Sequence, residues 1–341
     1  MKRLPRHRRA AGSTLIQLLI GSAVGLTLAA GLSTFFIQGS RSSREDINVS
    51  QMLNELGYAA SQIGEDLEMA GFWAQVHDPS NIDKDGSLAL TGTDCGASGW
   101  YQDLKPIEVF DVNTVTPRTP ADVHAAYPCL ETADLVDGSD VLVIKRVLGR
   151  IAGTDTDTTN MRDGTLYLRV HDKYGRLYLQ GSSAPGAVDT PYRNWEYAPV
   201  IYYVRKYSVS DTESPRVPSL CRMVLRSASG GAPRFTSECI AQGIEQLQIE
   251  IGVDTDEDGG ANYFTVSPTA GDLNRASTAR LYLLARSVRR DVDYVNPKTY
   301  QIGNMAAPYP PAGADPHYHR KTLSTEVVLR NPRGLQGVAI Q

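Results

Sequence analysis

The run from Leu15 to Ile37, LIQLLIGSAVGLTLAAGLSTFFI, carries no charged side chain. A helix of that length extends roughly 35 Å, more than the hydrocarbon core of a bilayer at about 30 Å. Ahead of it stands MKRLPRHRRAA, with Lys2, Arg3, Arg6, Arg8 and Arg9 and no acid. A basic flank of this kind is retained in the cytoplasm. Residues 15–37 are therefore expected to sit in membrane lipid as an anchor, with the remaining chain on the far side.

Helical patterning continues past the anchor. No proline interrupts the chain from Ser13 to His77, and apolar residues at Val49, Leu53, Leu56, Ala60, Ile63 and Leu67 recur at helical spacing. Arg41, Arg44, Glu45, Asp46, Glu55, Glu65, Asp66 and Glu68 fall on the other faces. Gly57 and Gly64 each cost about 1 kcal/mol relative to alanine, so kinks are allowed there. One long helix is predicted, with a transmembrane half over 13–38 and an amphipathic half over 39–72.

Composition changes after residue 72. Gly, Pro, Thr, Tyr and Asp become frequent, as in strands joined by long loops. Predicted strands are Asp140–Leu148, Thr165–Val170, Arg176–Gln180, Pro199–Tyr207, Cys221–Arg226, Ile244–Val253, Arg280–Arg289 and Thr322–Arg330. The sequence DKYG reads as a hairpin turn between the second and third. Long loops are expected at about 77–100, 111–128, 182–198, 208–219, 254–279 and 296–320. The predicted fold class is α+β: a long N-terminal helix, its first half transmembrane, packed on an antiparallel β-rich domain over 73–341. A net charge of -4 over 341 residues gives no general affinity for nucleic acid.

The cysteines number four: Cys95, Cys129, Cys221 and Cys239. Four allow three pairings and sequence does not choose among them. In an oxidising compartment the expectation is local pairing, Cys95 with Cys129 and Cys221 with Cys239. A zinc site has neither a CxxC nor a nearby histidine to support it. Asp254, Asp256, Asp258 and Gly259 fit the first half of a calcium loop, in which oxygen ligands alternate before a turn glycine. The twelfth position is Thr265 in place of the bidentate acid, so Asn262 or a distant carboxylate would have to complete the shell. Asn81, Asp83, Asp85 and Gly86 repeat the pattern more weakly. Among the histidines, His7 falls in the basic leader and His77, His124 and His171 lack a ligand-spaced partner. Asp315, His317 and His319 alternate in a proline-rich stretch read as a solvated loop. No nucleophile elbow, P-loop or dinucleotide fingerprint is present, and no enzymatic activity is expected.

The edges of the apolar run resemble the class III leader of type IV pilins and pseudopilins: a basic leader, a small residue at Gly12, and apolar residues immediately after. That resemblance implies a leader peptide over 1–12, cleavage by prepilin peptidase after Gly12, and N-methylation of the first mature residue, Ser13. Two positions depart from the family, which usually has Phe where Ser13 stands and Glu where Gln17 stands. An ordinary signal peptide cut near Thr27, Leu28 and Ala29 is the competing reading. Further along, IGEDLEMAGFW (63–73), VPSLCR (217–222), GIEQLQIEIGVDTDEDG (243–259), RLYLLARS (280–287) and LSTEVVLRN (323–331) are similar to stretches of the PilW family of minor pilins.

The PilW resemblance implies a non-enzymatic subunit that helps start pilus assembly and lies at or near the fibre tip, supporting twitching motility. Its partners would be other minor pilins, the tip complex, the major pilin and prepilin peptidase. The location implied is the inner membrane with a periplasmic C-terminal domain, then the pilus on the cell surface. The uncharged Gln17 would mark a subunit that needs no neighbour's terminal amine on that side. Two alternatives stay open: a pseudopilin of a type II secretion system, and a signal-anchored periplasmic calcium-dependent binding protein.

Overall fold

The computed structural model describes residues 14–84, 88, 95, 99–111, 119–181, 190–228, 231–310 and 314–331. The basic leader with Gly12 and Ser13, and Asp85 and Gly86 of the weaker acidic loop, lie outside the described residues. By contact, the chain divides into two units, 1–50 and 51–341.

Helix α1 runs from Leu15 to Glu68 without a break. Gly57 and Gly64 leave it continuous. Beyond it come β1 (Ile82–Lys84), β2 (Ile107–Phe110), the short helix α2 (Pro120–Ala126), β3 (Val141–Ile144), β4 (Val147–Thr154), β5 (Leu166–His171), β6 (Tyr174–Leu179) and β7 (Arg193–Tyr197). The chain continues through β8 (Val200–Arg205), β9 (Ser219–Ala228), β10 (Gly231–Gln242), β11 (Ile244–Val253), β12 (Tyr263–Thr265), the short helix α3 (Ala270–Asn274), β13 (Ala276–Arg286) and β14 (Arg320–Val328).

The strands form three sheets, ordered β1-β6-β5-β7-β4, β10-β9-β8-β3-β2 and β12-β11-β13-β14. Among the described residues every strand pairing is antiparallel except the short β1–β6 edge. The third sheet follows from alternation along its central strands. In β11, Leu247, Ile249, Ile251 and Val253 share one face, and they meet Leu283, Leu281 and Ala279 of β13 in register. The second and third sheets are stitched together by polar groups. Asp140 Oδ2 accepts from Ile249 N–H at 3.0 Å, and the amides of Gln246 and Gln248 donate to the Asp137 and Gly138 carbonyls.

Among the described residues, apolar side chains gather in two clusters. One gathers Trp73, Val76, Tyr101, Leu168, Leu177, Trp195 and Tyr197 under the first sheet. The other surrounds the two disulfides, Cys95–Cys129 and Cys221–Cys239, with Val123, Leu130, Val143 and Ile201. Cys221 and Cys239 face each other across β9 and β10, so the second disulfide staples that hairpin.

Several predicted elements differ. The expected strand over Asp140–Leu148 is two strands, because Lys145 and Arg146 turn away to other partners. The Lys145 ammonium is buried and donates to the Trp100 and Asp103 carbonyls and to Glu108. The predicted loops conceal structure: β7 lies within 182–198, α2 within 111–128, and β12 with α3 within 254–279. The DKYG turn is as predicted, joining β5 to β6 across the His171–Tyr174 pair, with Asp172 at φ 51°.

Candidate functional site

Over Leu15–Ile37 the large apolar side chains are exposed, Phe35 and Phe36 at 78% and 77%. This is the one helix among the described residues that is long and apolar enough to cross a membrane. Its start is built locally. Thr14 precedes the first helical residue, and its backbone N–H donates to Gln17 Oε1 at 3.0 Å. A threonine followed three positions later by glutamine is the capping-box pattern, so Gln17 satisfies one of the helix's orphan N–H groups. The hydroxyls of Ser22, Thr27, Ser33 and Thr34 bond back to carbonyls of the preceding turn, which lets polar residues sit in an apolar surrounding.

From Gln51 onward the helix belongs to the β-rich unit, and a specific face seats it. Met52, Leu56, Ala59, Ile63, Leu67 and Ala70 are buried. The predicted stripe is therefore rotated. Leu53 is exposed and Ala60 half-buried, while Met52 and Ala59 take the inner face. Gly64 faces Val327 of β14, where a Cβ would lie 3.7 Å away, an ordinary van der Waals contact.

Acidic residues expected on the solvent side supply the polar part of the seat. Asp66 is buried and receives three donors: Arg146 through Nε at 3.0 Å and through Nη2, and the Tyr202 hydroxyl at 2.6 Å. Burial, and then the Asp66 charge beside it, pushes the Tyr202 hydroxyl far above its ordinary value, so it remains a donor. Next to this pair, Arg222 bonds Glu238 at 2.7 Å, and Arg226 bonds the same carboxylate. Burial resists ionisation of Glu238, but its two arginine partners hold it below the usual carboxylate range. Glu55 accepts from the Gln242 N–H at 2.9 Å, and Glu68 pairs with Arg330 at 3.1 Å. The helix is thus tied to β8, to β10 and to the stretch after β14. Neither Asp66 nor Lys145 was singled out in the sequence; each is one charge among many until its burial is known.

Asp254, Asp256 and Asp258 converge, with one ligand atom from each within 4.8 Å of the others. Asp254 is buried, and its two carboxylate oxygens accept from the N–H groups of Glu257 at 2.7 Å and Gly259 at 2.9 Å. Asn262 closes the loop by accepting from Thr255 N–H and its hydroxyl. Thr265 lies in β12, paired with Ile251, and is not part of the acidic group. Asp256 and Asp258 are exposed.

The Asp315, His317 and His319 stretch is not a solvated loop. His319 is buried, stacks on Tyr294 at 3.7 Å between centroids, and faces Asp291 at 3.3 Å. His317 Nδ1 meets the Tyr294 carbonyl, and Asp315 pairs with Arg290. These contacts join 290–296 to 314–320, and the histidines do not converge on a metal position among the described residues.

Residues 201–331, from β8 to just past β14, match the family model described as Type IV Pilus-assembly protein W, PilW. The match takes in four of the five PilW-like stretches read from the sequence, and the helix-end stretch 63–73 falls outside it. No curated protein and no solved structure matches the chain.

Proposed function

We propose that this chain works in type IV pilus assembly as a minor pilin, placed at or near the fibre tip. The match of residues 201–331 to the pilus-assembly W family carries the reading. The exposed apolar half of α1 supports it, because such a surface needs lipid or the helices of other subunits around it. Prepilin peptidase cuts after Gly12 and Ser13 becomes the methylated terminus. Other minor pilins and the major pilin are the partners, and the domain beyond residue 50 is periplasmic until assembly. Gln17 brings no charge to pair with a neighbour's terminal amine, and its carbonyl is engaged by Thr14. A subunit at the end of a fibre has no such neighbour to satisfy. Asp254, Asp256 and Asp258 hold a calcium ion, which relieves the repulsion among three carboxylates brought this close.

Deleting the gene is expected to abolish or sharply reduce surface pili and twitching. Mass spectrometry of the membrane form should find a methylated N-terminus at Ser13, and antibody label should collect at fibre ends. Normal piliation with defective protein secretion would make it a pseudopilin instead. A mature terminus beyond Ala29 would remove it from the pilins, and label along the shaft would remove the tip placement.

A further inference from the structure

A cleft of about 780 Å³ opens where four stretches of chain meet: residues 77–84, residues 103–106, the β5–β6 turn and α3. That size suits a small ligand of several rings and is far larger than one ion needs. Its floor is apolar, made by the buried side chains of Leu104, Pro106 and Leu273. Its rim carries Lys84, Lys105 and Lys173.

The charges on this rim are unbalanced. Two acids share it, and both are turned into their own turns. Asp78 Oδ1 accepts from Ser80 N–H at 2.8 Å, and that bond holds its carboxyl below the usual range. Asp103 Oδ1 accepts from Lys105 N–H, and its carbonyl takes the buried Lys145 ammonium. Among the described residues none of the three rim lysines forms an ion pair. Lys173 lies over the ring of Tyr174, at 5.6 Å.

The backbone positions that carry the lysines are also spread out. β1 pairs with β6 in parallel, with Ile82 opposite Gly175 and Lys84 opposite Leu177. Lys173 precedes Gly175, whereas Lys84 follows Ile82. The two lysines are therefore offset on the order of 10 Å along the strand direction. The lining also carries neutral hydrogen-bonding groups: the Ser80 hydroxyl, which bonds Asp78, and the amides of Asn81 and Asn274.

We infer that this cleft binds a short acidic glycan, an oligosaccharide carrying carboxylates on separate sugar rings. The lysines take the carboxylates, the amides and hydroxyl take sugar hydroxyls, and the leucine floor takes the ring C–H faces. The asparagine amides also suit a peptide backbone, so an acidic peptide is the comparison that tests the assignment. The inference does not depend on the pilus reading, since it concerns the domain alone.

The test is calorimetric titration of the full chain in detergent micelles with a tetramer of galacturonic acid. Neutral maltotetraose, tetraglutamate and inorganic phosphate serve as comparison probes. Saturable one-site binding to the uronic tetramer is expected, weakening as salt is raised. Lys84→Gln, Lys105→Gln and Lys173→Gln should each weaken it roughly threefold, and the triple variant should abolish it. Lys298→Gln, remote from the cleft, should leave it unchanged. Equal thermal melts of the triple variant and the parent show that the fold survives. Binding that is absent, or unchanged in the triple variant, overturns the site. Tetraglutamate or phosphate binding as tightly as the uronic tetramer overturns the glycan assignment.

Discussion

Glu213 gathers three backbone amides of the turn over 208–217. Its carboxylate accepts from the N–H groups of Ser208, Val209 and Val217, at 2.7, 3.2 and 2.9 Å. Burial opposes its ionisation, but the three amides and the Ser208 hydroxyl prevail and hold its pKa at about 2. The folded value lies below the ordinary one, so the turn's support is complete above about 4.5 and is lost as pH falls toward about 2. Glu213→Gln should raise amide exchange over 208–217 near neutrality, and the ratio to wild type should approach one as pH drops through that window. A ratio independent of pH would contradict this. At this scale the sequence is least informative. Nothing marks Glu213 in SDTESPRV, just as nothing separates Asp66 from Glu65; a carboxylate's role depends on which amides or arginines the fold brings to it.

Among the elements, α1 was the most legible. Its length and its continuity follow from an apolar run, a second periodic segment and the absence of proline. The face it buries was less legible, because Ala59 and Ala60 are interchangeable by hydropathy and only packing against β14 and β8 decides between them. Its polar seat rests on Asp66. Asp66→Ala strands the half-buried Arg146 and the buried Tyr202 hydroxyl and should lower stability by about 2–4 kcal/mol. Equilibrium denaturation in detergent measures it, and a loss below about 0.5 kcal/mol would mean Arg146 and Tyr202 find other partners. The strands show the same division. β11 lies at its predicted position, and β13 overlaps the predicted strand but begins four residues earlier, at Ala276. β10 has no apolar period at all and is held by its register with β9 and the staple across it. β7, sequence RNWEY, has too few residues for a pattern to register.

In the whole molecule, α+β architecture was readable, but not the division of the strands into three sheets. Sheet membership depends on long-range pairs such as β4 with β7 and β3 with β8, which no local window contains. The acidic loop after β11 offers a global test. Millimolar calcium should raise the melting temperature relative to chelator, and Asp256→Asn with Asp258→Asn should erase the difference. Superimposable melts would leave the loop's shape to the Asp254 and Asn262 hydrogen bonds alone. The β9–β10 staple, finally, has a mechanical meaning. The helix holds Gln242 of β10 through Glu55 and neighbours Arg222 of β9 through Gln62. A tensile load entering along the helix is therefore delivered beside Cys221 and Cys239, where the hairpin is closed covalently. Unzipping that begins at this end meets the covalent link within a few residues, and the force passes on to the sheet as a whole.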